Sequence, residues 1–454
     1  MTDSAPVLVW FRDDLRLADN PALHYAASLG RPVIPVFILD EESVEIRPLG
    51  HASRWWLHHS LESLGKDLKR LGSPLVLRRG PAETILPALV AESGATTILW
   101  NRRYGASRAI DQRLKEAFTA SGREALSFQA NLLFEPWSVV NQEGKPFQVF
   151  TPFWRACRNG DLPRLPLQAP GQIPSGQTLP SDSLSEWHLL PESPDWAQKL
   201  HGYWTPGEAG AMERLQTFME RGLALYHRRD EPGVEATSRL SPHLRFGEVS
   251  PFQIWAAAHA EKSPEAVKNR DKFLSEVGWR EFSWSILFRH PDAARVNIKR
   301  EFDHFPWTTP EDTVLRAWQK GTTGVPLVDA GMRELWETGY MHNRVRMVVA
   351  SYLVKNLLIH WHFGEEWFWD TLVDADEANN PVSWQWVAGS GADAAPYFRV
   401  FNPLLQADKF DPERHYISRW APDSGNLEPL VDLAESRDRA LAAYQTMKDQ
   451  RLAD

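Results

Sequence analysis

Three side chains in the stretch Phe273-Leu274-Ser275-Glu276-Val277-Gly278-Trp279-Arg280-Glu281-Phe282 could do chemistry together. Glu276, Trp279 and Arg280 fall at i, i+3 and i+4, so one helix face presents a carboxyl, an indole and a guanidinium. That face could hold a planar ligand, and it also suits an exposed salt-bridged helix with one half-buried Trp. Thr237-Ser238-Arg239-Leu240-Ser241-Pro242 stands before the amphipathic run Pro251 to His259. Hydroxyls, backbone N–H groups and a guanidinium near a helix start form a cradle for a diphosphate. The same residues serve as a plain Ser/Thr N-cap beside a surface Arg. In Met341-His342-Asn343-Arg344-Val345-Arg346-Met347, Asn343 and Met347 share a face and Arg346 lies close to it; the plain reading is a basic helix face. His342 has no companion at metal-ligand spacing, so no metal site is expected.

The most specific pattern is Asp374-Ala375-Asp376-Glu377-Ala378-Asn379-Asn380-Pro381-Val382-Ser383-Trp384-Gln385-Trp386, followed by Phe401-Asn402-Pro403. Turn-forming Asp, Asn and Pro beside a Trp-Gln-Trp step predict a loop lining a pocket rather than a helix or a strand. The chain also holds 21 Trp against 9 Tyr, several in polar surroundings where a core would not need them.

Two unlike halves must position these residues. Up to about Glu135, short apolar runs at Val7 to Phe11, Val33 to Leu39, Pro74 to Leu77 and Thr97 to Trp100 alternate with amphipathic stretches, which predicts βαβα units and a parallel sheet. Leu57, Leu61, Leu64, Leu68 and Leu71 recur at helical spacing before Gly72, as in a crossover helix with a glycine C-cap. No Gly-x-Gly-x-x-Gly follows the first run, so an ordinary dinucleotide site there is not expected. Residues 136–206 are rich in Pro, Gly and Ser and read as a connector wrapped on the surface. From 207 to 454 helical patterns dominate. The fold class is therefore an α/β N-terminal domain with a parallel, Rossmann-like sheet (1–135), a linker (136–206) and an all-α C-terminal domain (207–454).

Composition narrows the function. With 454 residues, 43% hydrophobic and 24% charged, the chain is globular and has no bilayer-length apolar run. Its net charge of −9 argues against indiscriminate coating of nucleic acid, so any DNA contact must be local. A single cysteine, Cys157, excludes an intramolecular disulfide and any cysteine-ligated cluster; with no export signal at the start, the reducing cytoplasm is the expected compartment.

Six motifs then occur in one order: Trp-Phe-Arg-Asp-Asp-Leu-Arg at Trp10, Thr-Ser-Arg-Leu-Ser at Thr237, Trp-Arg-Glu-Phe at Trp279, Met-His-Asn-Arg-Val-Arg-Met at Met341, Trp-Gln-Trp at Trp384 and Phe-Asn-Pro at Phe401. In this order they resemble the photolyase/cryptochrome family across nearly the whole chain. The resemblance implies an antenna domain joined to a helical FAD-binding domain, as in bacterial photolyases that split cyclobutane pyrimidine dimers. It implies FAD held by Tyr226, Thr237, Ser238, Arg239, Leu240, Ser241, Glu276, Arg280, Asn343, Arg346, Asp374 and Asp376, with Arg346 paired to Asp374 and Asn380 facing flavin N5. An Asn there suits repair, whereas plant-type and animal-type cryptochromes tend to carry Asp or Cys.

The resemblance also implies a lesion-facing group. Glu276 and Asn343 would hydrogen-bond the pyrimidines, and Glu276 would be a neutral donor if buried beside flavin and lesion. Asn343 and Met347 stand where enzymes specific for (6-4) photoproducts carry two His. Trp279 and Trp386 would wall a flipped dimer, with Arg229, Arg344 and Gln406 near the DNA, and Trp384, Trp361 and Trp307 would relay an electron from the surface. The expected antenna is methenyltetrahydrofolate, with deazaflavin the alternative, although Gly105 stands where folate-binding relatives place an acid. The expected partner is damaged DNA, with no membrane and no metal, and the chain is expected to be a monomer. The rival reading is a cryptochrome-type blue-light photoreceptor without repair activity.

Overall fold

In the computed structural model, which describes residues 5–192, 195–394 and 398–453, the first half is built on five parallel strands: β1 (Val7–Phe11), β2 (Val33–Leu39), β3 (Val76–Arg79), β4 (Thr97–Asn101) and β5 (Glu124–Phe128). Their order is β3-β2-β1-β4-β5, with Val7 in register with both Val33 and Thr97. β1 and β2 are buried along their whole length, as continuous apolar strands must be when helices cover both faces of a parallel sheet. The expected crossover helix is His51–Leu71, ending on Gly72 at φ 109°. β5 went unread because Glu-Ala-Leu-Ser-Phe is an edge strand with a mixed polar pattern.

The stretch 136–206 is more than a surface wrap. It carries the helix Phe150–Asn159, whose Phe150, Phe153, Trp154 and Cys157 are buried against the second half. Farther on, Trp187, Leu189, Leu200 and Trp204 pack into the core beneath His51–Leu71. The second half is helical, and four of its elements carry the site: Pro264–Arg289, Asn343–Ser351, Trp361–Thr371 and Asn379–Ala388. Among the described residues no helix is long and apolar enough to cross a membrane.

The largest correction to the sequence reading lies in the last of these. Trp384-Gln385-Trp386 is helical and is not a loop. Asp376 makes this possible by acting as an N-terminal cap: its carboxylate accepts the N–H groups of Ala378 (2.8 Å) and Asn379. Pro381 sits in the first turn, where its missing N–H costs nothing. The Asp, Asn and Pro that suggested a turn are thus the start signal of a helix.

Candidate functional site

The helices of the second half enclose an open cavity of about 530 Å³, within the range of ligand pockets. Its wall contains Tyr226, Thr237, Ser238, Arg239, Leu240, Ser241, Glu276, Arg280, Asn343, Arg346, Asp374, Asp376 and Asn380, together with Arg229, Trp279, Arg344, Met347, Trp384 and Trp386. Residues more than 150 positions apart in the chain are brought to one surface. Of the predicted site residues, Trp361, Trp307 and Gln406 are not part of that wall.

Arg346 closes one end. Its guanidinium meets Asp374 through two parallel bonds of 3.0 and 2.8 Å, and Nε donates to the Met341 carbonyl at 2.7 Å. Ser241 Oγ donates to the same carboxylate at 2.6 Å, which ties the Thr237–Ser241 cradle to the pair. Burial works against the Arg346 charge, but Asp374 more than offsets it and holds the guanidinium above its ordinary value. Arg239 takes φ 51° within the cradle, a left-handed turn among otherwise ordinary backbone. Arg280 is anchored from behind, donating to the Asn131 carbonyl at 2.8 Å and pairing with the buried Glu281. Burial pushes Glu281 up to about 7, partly opposed by Arg280.

On the floor, Asn380 Nδ2 donates to both the carbonyl (3.0 Å) and Oε1 (2.8 Å) of Glu365. The amide NH2 is spent on that side, so Oδ1 is the atom left for the cavity. Glu365 is fully buried and is held in turn by Arg47 of the first half, at 2.7 and 3.0 Å. Neither Glu365 nor Arg47 was anticipated. Nothing local in Gly364-Glu365-Glu366-Trp367 says which of the two acids is buried.

At the mouth, Trp279 stacks on Phe150 with ring centres 3.9 Å apart and planes within 11°. The connector therefore backs one aromatic wall. Trp386 is fixed by its indole N–H to the Asp393 carbonyl at 3.0 Å. Glu276 lies between Arg229 (3.0 Å) and Lys272 (3.1 Å), its side chain 28% exposed. Glu276 is therefore not the deeply buried side chain on which the neutral-donor expectation was conditioned. Arg344 pairs with Asp230 at 2.9 Å and lies over the Phe410 ring. Asn343 and Met347 face the cavity together, one turn apart.

Trp384 packs edge-on against Phe368, and any side chain at Gly364 would collide with its ring. Trp361 is one turn from Gly364 on the same helix, with its indole N–H bonded to Asn297 at 2.8 Å. His360 bridges outward, 5.3 Å from Trp361 and 5.0 Å from Trp307. Gln406 lies on the helix Pro403–Phe410, with its Oε1 buried and without a hydrogen-bond partner.

A second, narrow hollow of about 30 Å³ lies between the halves, lined by Asp13, Arg102, Arg103, Tyr104, Gly105, Trp284 and Glu377 among others. Glu377 occupies the space a side chain at position 105 would need. An acid therefore does stand at this point, supplied by the helical half. Burial, reinforced by Asp13, raises Glu377 to about 6.

Comparison with known proteins fits this architecture. The family described as DNA photolyase matches residues 7–171, and the FAD binding domain of DNA photolyase matches residues 273–429. A deoxyribodipyrimidine photo-lyase of Agrobacterium fabrum is 46% identical over 98% of both chains, and cryptochrome-1 of Arabidopsis thaliana is 38% identical over 92% of this chain and 63% of its own. The crystal structure of a bacterial class III photolyase from Agrobacterium tumefaciens superposes with a TM-score of 0.93 at 44% identity over 99% of both chains. An archaeal photolyase from Sulfolobus tokodaii, solved with two FAD molecules, gives 0.82 at 30% identity, covering 97% of this chain and all of its own. With a capped floor, an aromatic mouth and both domain families matched in order, this chain belongs to the DNA photolyase family.

Proposed function

We propose that this protein is a deoxyribodipyrimidine photolyase that uses light to split cyclobutane pyrimidine dimers in DNA. The observation that carries this reading is the open 530 Å³ cavity, walled at its mouth by Trp279 and Trp386 and floored by Asn380. The cavity lining suits FAD. The hydroxyls and backbone of Thr237 to Ser241 provide a diphosphate cradle, Arg346 and Asp374 a charged clamp, and Asn380 Oδ1 an acceptor for a ring N–H. Held there, reduced FAD would supply light-driven one-electron chemistry that splits the cyclobutane ring with no net oxidation.

The chain's own groups do the rest. Photolyases reach the lesion by flipping it out of the duplex. Trp279 and Trp386 receive the extruded pair, and stacking worth about 1–3 kcal/mol per base offsets much of the cost of extrusion. Glu276 and Asn343 hydrogen-bond the pyrimidine carbonyl and imide edges, while Met347 fills the apolar side where a proton-donating His would be needed for a (6-4) lesion. Arg229, Arg344 and Gln406 meet the DNA strand at the rim. Trp384, Trp361 and Trp307 would carry an electron from the surface to an oxidised flavin.

For the antenna we keep methenyltetrahydrofolate, with deazaflavin the alternative; Glu377 beside Gly105 supplies the acid expected there, although the hollow of about 30 Å³ next to it is water-sized as it stands. The lone cysteine supports a cytoplasmic setting, and we assign a monomer divided at 1–135, 136–206 and 207–454.

The test is incubation of the photoreduced holoenzyme with a thymine-dimer oligonucleotide under blue light, with restored thymines counted. Repair in light and none in darkness is expected. Bound DNA and reduced flavin without restoration would instead favour a photoreceptor.

A further inference from the structure

The helix His51–Leu71 carries a cluster that no step of repair uses. His58, His59 and Glu62 each place one potential ligand atom within 4.8 Å of the others. The His58 and His59 rings are 5.2 Å apart, and His201 of the connector turn Gln198–Gly202 stands 4.8 Å from His59. Two imidazoles on one tetrahedral ion at about 2.1 Å have ring centres about 5 Å apart, so the rings already stand at the spacing of shared ligation. His58 Nδ1 and His59 Nε2 are shielded from solvent and have no hydrogen-bond partner. Buried ring nitrogens normally find one. Glu62 Oε2 lies 3.3 Å from His59 Nδ1, which fixes the proton there and leaves the Nε2 lone pair free, as carboxylates do for metal-bound histidines.

We propose that His58, His59 and Glu62 form a binding site for a divalent cation of the zinc class, with His201 of the connector turn closing over it and water completing the ligand set. Imidazole nitrogens favour zinc, copper and nickel over magnesium or calcium. The ion joins the α/β half to the connector directly over Trp55, whose ring is 4.9 Å from His59 and 5.1 Å from His201. Because an unfolded chain has no such convergence, binding stabilises the folded state. The expectation of no metal rested on His342 and the lone cysteine and did not weigh His58, His59 and Glu62 on one helix.

The test is calorimetric titration of tag-free FAD holoenzyme with zinc chloride, alongside thermal melting. One site with a dissociation constant on the order of micromolar is expected, with melting raised by a few degrees. His59→Ala and the exposed His201→Ala should each weaken binding at least about tenfold, with unchanged flavin absorbance showing that both variants fold. His188→Ala, remote from the cluster, should bind like the parent. Absence of binding, equal binding by the His201→Ala protein, or magnesium binding as tightly as zinc would each overturn the proposal.

Discussion

Asn380 shows how one residue's chemistry is set by residues behind it. An isolated carboxamide can present either oxygen or NH2 to a ligand, and only the oxygen can accept a ring N–H. Glu365 removes the choice by taking both amide hydrogens on its own side. Replacing Glu365 with Gln keeps the shape but removes the charge and lets the Asn380 amide rotate. The expected outcome is a protein that still binds FAD but whose flavin midpoint potential shifts, read by spectroelectrochemistry. An unchanged potential would show that Glu365 merely fills space.

At the scale of elements, the helices Trp361–Thr371 and Asn379–Ala388 place the indoles where an electron could pass. Gly364 is needed for the closest approach of these helices, since any Cβ there would strike Trp384. Trp384→Phe should abolish photoreduction of oxidised flavin while leaving chemically pre-reduced enzyme able to repair. Normal bleaching of the flavin spectrum under light would remove Trp384 from the relay. Element type was legible where one signal dominated. The apolar runs of β1 and β2 and the i, i+3, i+4 face of Glu276, Trp279 and Arg280 lie where periodicity placed them. The stretch from Asp374 to Trp386 was misread because capping residues and turn residues are the same types, and only the carboxylate's aim at Ala378 and Asn379 tells them apart. Phe150 lay in the stretch read as a surface connector, and nothing local says that its ring will back Trp279. Glu365 and Arg47, 318 residues apart, could be joined only by tertiary structure.

Across the whole molecule, buried ionisable groups make stability depend on pH in opposing directions. Burial lowers His342 to about 4, below its ordinary 6.5. Its contribution is therefore intact above pH 6.5 and lost as pH falls through about 4, with a ceiling of about 3 kcal/mol. Glu281, raised to about 7, acts the other way: its contribution is present below pH 4.5 and lost as pH rises through 7. The sum can look flat, so the His342 effect is read by difference. Urea unfolding at pH 7 and pH 4.5 should show a smaller acid loss in His342→Gln than in the parent. Equal losses would mean that His342 takes up its proton in the folded chain.

The contact between Arg47 and Glu365 also constrains how the chain matures. Ribosomes release domains amino end first. Arg47, in the segment between β2 and the helix His51–Leu71, precedes Glu365 by 318 residues. A helical half translated in isolation would bury that acid without its guanidinium partner, so the carboxylate behind Asn380 depends on a residue of the other half.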